Sequence, residues 1–179
     1  MAAQLQRIAA ALARIGAAMN PCLTQHEIGQ FERQHGIGLP DDYADFLRTI
    51  GNGGGPVPYY GLMPLGRAPE RFPLADIEAL TEIGKPFPFS EGWCWEDDED
   101  GPVPDRHAGV HRGRLVLGHE GCGDYPILIV AGPQRGKVWH LADIGIFPHD
   151  AAATFLDWYE AALQEQERGG VARPRRPSQ

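Results

Sequence analysis

Between Gly118 and Asp124 the chain reads GHEGCGD, placing a histidine, a carboxylate, a thiol and a second carboxylate within six positions. His119, Glu120, Cys122 and Asp124 are residue types that serve as bases, nucleophiles or metal ligands. A Cys/His nucleophilic site needs the thiolate beside its base, an oxyanion site, and a third group that orients the base. Proximity along the chain supplies none of these. The spacing is also not that of a zinc site. Gly118, Gly121 and Gly123 surround the four residues, so the stretch reads first as a tight turn between two strands. A small enzyme centred on His119, Cys122 and Asp124 stands behind that reading as a remote alternative.

A second stretch carries binding chemistry instead. GWCWEDDED (92–100) sets Trp93 and Trp95 beside five consecutive acids, Glu96, Asp97, Asp98, Glu99 and Asp100. Tryptophan is enriched among the residues that dominate protein interfaces. A run of carboxylates steers a cationic partner and speeds encounter. The plainer alternative is a solvated acidic loop with both tryptophans in the core. A calcium loop fits poorly, because DDEDG lacks the spaced ligands and terminal glutamate of an EF-hand. Tyr59 and Tyr60 follow the glycine-rich run GNGGGPVP (51–58) and suit an interface, since tyrosine joins apolar area to a hydroxyl. That run has no GK[ST] and ends a helix instead of starting one, so it is a turn and not a phosphate loop.

The composition narrows the classes further. The 179 residues suffice for one domain with a sizeable core. The net charge is −8, and the end of the chain after Glu167 holds Arg168, Arg173, Arg175 and Arg176 with no acid. Without those four, 12 basic face 24 acidic side chains, a charge of −12. Such a body repels DNA and RNA and attracts a basic protein. Three cysteines, Cys22, Cys94 and Cys122, with no CxxC pair support neither a disulfide framework nor a zinc cluster, and fit a reducing cytoplasm. No segment approaches a membrane span, and Arg14 ends the apolar stretch 8–13 too early for a secretory signal. Neither cofactor nor metal is expected.

The elements that must position these residues follow from periodicity. Leu5, Ile8, Leu12 and Ile15 predict a helix over about 3–18. Thr24 with Glu27 is a capping box that starts a second helix, stopped at Gly36. Pro40 and three aspartates open a third, with Tyr43, Phe46, Leu47 and Ile50 as its buried stripe and Gly51 as its cap. Tyr59–Leu65 reads as a short strand, and Leu74, Ile77, Leu80 and Ile83 as a further helix. Residues 86–112 read as one long loop, of the kind that usually carries function. From Gly113 the period changes to that of strands: 115–117, 125–131 and 137–141, the last two joined by GPQRG as a hairpin. Asp150 is the expected cap of a closing helix that carries Phe155, Trp158, Tyr159 and Leu163. The sum is an α+β domain over 1–168, a mostly antiparallel sheet with N-terminal helices and a closing C-terminal helix, then a Pro/Arg-rich tail at 169–179.

Two separated blocks carry a family resemblance. FERQHGIGLPDDYADFLRTIGNGG (31–54) resembles the N-terminal motif of the SUKH superfamily, through Glu32, Leu39-Pro40, Tyr43, Phe46-Leu47 and Asn52-Gly53. GRLVLGHEGCGDYPILIVAGPQRGKVWHL (113–141) is similar to that family's later block at Gly121, Gly123, Tyr125, Gly132, Gly136, Val138 and Trp139. The resemblance spans about 24–165. It implies a protein-binding domain without enzymatic activity, and for bacterial members an immunity protein that neutralises a toxin by stoichiometric binding in the cytoplasm. Eukaryotic relatives imply the alternative of a scaffold or regulator with no toxin partner. Under the first reading Glu96–Asp100 steer the partner, while Trp93, Trp95, Tyr59 or Tyr60 anchor it.

Overall fold

The computed structural model describes residues 1–57, 59–67, 80, 82–95, 109–149 and 153–169. Three helices come first: α1 (Ala2–Arg14), α2 (Gln25–His35) and α3 (Asp41–Thr49). Five strands follow, β1 (Trp93–Cys94), β2 (Arg114–Val116), β3 (Tyr125–Ile129), β4 (Val138–Ala142) and β5 (Gly145–Pro148), and α4 (Phe155–Gly169) closes the chain. The strands form one sheet in the order β1-β5-β4-β3-β2, every pair antiparallel. The fold is therefore α+β, with helices at both ends of the chain and an antiparallel sheet between.

The local chemistry explains the helix ends. Thr24 accepts from the Glu27 amide while Glu27 accepts from the Thr24 amide, and α2 stops at Gly36 with φ 66°. α3 begins after Pro40, but Gly51 does not turn left-handed beyond it. It is glycine because a Cβ there would lie 2.6 Å from Asn20 O and 2.9 Å from Met19 Cβ. α4 is capped by Thr154, whose hydroxyl lies 2.9 Å from Asp157 Oδ2. Asp150, the expected cap, lies outside the described residues.

The register sorts side chains onto two faces. On one, Leu115, Leu128 and Val138 join a core with Ile8, Leu12, Ile28, Tyr43, Phe46, Leu47, Phe155 and Tyr159 from the helices. On the other, Tyr125, Ile127, Ile129, Trp139, Leu141 and Ile146 pack with Phe87, Trp93 and Val110. This second layer is why all five residues of β3 are buried. It also holds Arg114, 1% exposed, whose Nε donates to Val110 O and whose Nη2 lies 2.9 Å from His111 Nδ1. Burial pushes the Arg114 pKa down to about 10.

Three expectations change. Residues 59–61 form a turn, and Leu62 makes only an isolated bridge to Gly54, so Tyr59–Leu65 is not a strand. Gly61 (φ 93°) curls the chain there, and a Cβ would meet Gly55 O at 2.6 Å. The stretch 86–112 is not all loop, because Trp93–Cys94 pairs with β5. β5 itself was not expected. Of the helix expected at 74–83, residues 74–79 and 81 lie outside the described residues, and Ile83 is buried in the helix-side core.

Candidate partner-binding face

The antiparallel register brings several separated segments to one end of the sheet. β2 leaves at Val116 and β3 begins at Tyr125, so the loop 117–124 lies at the Tyr125–Leu141 end. β4 turns into β5 at Asp143-Ile144 at the same end, and Cys94 pairs there with Gly145. Trp95 continues the contact: its amide donates to Ile144 O at 3.0 Å and its indole Nε1 donates to Asp143 O at 2.6 Å. The chain enters the acidic run Glu96–Asp100 directly after this anchored residue. Those five acids lie outside the described residues.

The loop is a tight turn held by its own backbone. Glu120 N donates to Asp124 O and Asp124 N to Gly121 O, both at 2.9 Å. Gly121 (φ 98°) and Gly123 (φ 82°) take left-handed angles, and so does Cys122 (φ 51°). Gly123 is also fixed by space, since a Cβ would lie 2.3 Å from Asp143 Oδ1. That proximity locks the β2–β3 loop against the β4–β5 turn.

The four reactive residue types differ in exposure. Cys122 is exposed at the tip of the turn. His119 is buried, with its ring 5.4 Å from Tyr60 and 5.0 Å from Tyr125. Burial pulls its pKa below the usual histidine value, opposed by the charge of Asp124, so the ring is neutral near pH 7. A neutral imidazole between two phenol rings is a packing element. Among the described residues, no group of three or more His, Cys, Asp or Glu side chains is arranged to hold a metal ion.

What the loop supports is an aromatic surface. Tyr60 is 68% exposed and stacks on His119, and Tyr59, 41% exposed, meets Tyr60 edge to face at 4.7 Å. Ile144 adds an exposed aliphatic chain at the neighbouring turn. The carboxyls here lie among like charges. Burial, then Asp124 and Glu165, push the Glu120 pKa up to about 7. Burial and Asp143 raise that of Asp124, against the pull of His119. His140 Nδ1 stands 3.8 Å from Glu120 Oε2.

The candidate anchors thus separate. Tyr59 and Tyr60 face outward. Trp95 is half-buried and tied to the β4–β5 turn. Trp93 is 9% exposed and stacks on Phe89 inside the second core. The stacking of His119 under Tyr60 and the packing of Asp143 on the 118–124 loop were not legible in the sequence. The Asp-Ile-Gly of 143–145 was the available signal for a hairpin turn.

The motif residues of 31–54 build the scaffold. Glu32 accepts from the Leu39 amide at 2.8 Å, and Asn52 accepts from the Leu65 amide at 2.8 Å. Asp42 accepts from the Leu156 amide at 3.2 Å, joining α3 to α4. A helical layer clasped in this way to an antiparallel meander defines an α+β domain whose signature residues serve the fold. The family model described as SMI1 / KNR4 family (SUKH-1) matches residues 22–161, and the chain belongs to that family. No curated protein and no solved structure matches it.

Proposed function

We propose that this chain is a non-enzymatic immunity protein that neutralises a basic toxin domain by forming a stoichiometric complex in the cytoplasm. The observation that carries the reading is the convergence at one end of the sheet: two outward tyrosines, the 118–124 loop, and the point where the chain enters Glu96–Asp100. Aromatic contacts beside a dense negative charge make a surface suited to a cationic protein. In this reading Tyr59, Tyr60 and Trp95 anchor the partner and the acidic run steers it. Family membership supports a protein-binding domain without choosing the partner. The exposure of Cys122 and the burial of His119 favour binding over catalysis at the loop.

The test is co-expression with the product of the gene immediately upstream, scored by growth and by pull-down. Rescue of growth with a one-to-one complex is the expected result. An upstream product that is neither toxic nor bound by this chain would overturn the reading and favour a scaffold that recognises a host protein.

A further inference from the structure

We propose that the exposed ring of Tyr60, stacked on His119 of the carboxylate-bearing 119–124 loop, is a seat for an arginine side chain of the partner. The inference rests on the reading of this end as the partner face and names the chemistry it takes. The seat begins with an ordered ring. Tyr60 is 68% exposed yet held from beneath by the buried His119 at 5.4 Å and from the side by Tyr59 at 4.7 Å. Its ring is exposed and already packed against two aromatic neighbours before a partner arrives.

The neighbouring charges select the occupant. The loop that carries His119 also carries Glu120 and Asp124, and Asp143 lies against its Gly123. Glu165 of α4 acts on Glu120 as a further like charge, and His140 stands 3.8 Å away. Desolvation and mutual repulsion hold the Glu120 and Asp124 carboxyls above their ordinary range. An incoming cation relieves that repulsion. Guanidinium suits the seat better than ammonium, because its plane stacks on tyrosine while its edge donates to a carboxylate.

The probe is N-acetyl hexa-arginine amide, titrated at low salt into the isotopically labelled full chain and followed by NMR. The expected shifts concentrate at Tyr59, Tyr60, His119–Asp124 and Asp143-Ile144. Tyr60→Leu keeps apolar area but removes the π face, and should weaken binding about two- to fivefold. Tyr60→Phe should bind like the parent, Asp124→Asn more weakly, and a hexalysine control more weakly than hexa-arginine. Shifts spread evenly over the acidic surface, or equal binding by Tyr60→Leu, would overturn the seat. The peptide does not depend on the toxin reading. Focused binding without a complex with the upstream product removes that reading and keeps the seat. A complex insensitive to Tyr60→Leu, with diffuse peptide shifts, does the reverse.

Discussion

Glu120 is the side chain whose chemistry departs furthest from its type at the proposed face. Its folded pKa stands at about 7 and its ordinary value is 4.5, so between those limits the folded chain holds a proton that the unfolded chain has released. Stability from this group is therefore fully present below about pH 4.5 and is lost as pH rises through 7. Glu120→Gln should stabilise the protein at pH 8 by about 1–2 kcal/mol, a figure discounted for the partial exposure of the carboxylate. The gain should vanish below about pH 5. Urea melts at both pH values check this, and an equal gain at both would refute the coupling. Little of this was legible in GHEGCGD. The residue types suggested reactivity, but burial of His119 and exposure of Cys122 depend on which way a seven-residue turn rolls. That is decided by Gly123 packing on Asp143, a residue twenty positions on.

At the scale of elements, two glycines that end helices have different reasons for being glycine. Gly36 sits at φ 66° with nothing within 4 Å of a built Cβ, so its constraint is angular. Gly51 has Asn20 O and Met19 Cβ inside 3 Å, so its constraint is spatial. Gly36→Ala should cost about 1 kcal/mol, with Gly36→Asn recovering part of it. Gly51→Ala should cost about 2–3 kcal/mol, and Gly51→Asn should be worse. Denaturant midpoints of the four variants separate the two cases. The capping box at Thr24, the stop at Gly36 and the GPQRG hairpin were legible because each is set by residues within a few positions. β1 and β5 were not. Two residues, or four that include a glycine and a proline, are too few to show a period of two, and only pairing with each other and with β4 makes them strands. The convergence of the 119–124 loop and the 143–144 turn was hidden for the same reason, since it follows from register, and Tyr60 joins them only through its stack on His119.

At the scale of the whole molecule, α1 and α4 form a parallel seam. Gln4 donates to Asp157, Arg7 pairs with Glu160 at 2.6 Å and Arg14 with Glu167 at 2.7 Å, each across the same separation of 153 residues. Both arginines are largely exposed, so the pairs set register more than they add stability. Removing both with Arg7→Ala and Arg14→Ala should leave the melting midpoint little changed, whereas Ile8→Ala beneath them should cost about 2–5 kcal/mol. Thermal melts of the two variants check the contrast. The net charge of −8 acts at this scale as well. Charge reversal across Glu96–Asp100 should slow association with the partner and flatten its dependence on ionic strength, as read by stopped-flow mixing at low and moderate salt. An unchanged rate would remove the steering role.

The constant offset across that seam bears on how the protein is made. The helix that α1 leans on is translated some 150 residues after it. Until then the apolar stripe of Leu5, Ile8 and Leu12 is without its α4 neighbour. The nascent chain therefore holds that stripe uncovered by α4 throughout synthesis of the sheet, a surface that a holding chaperone can shield.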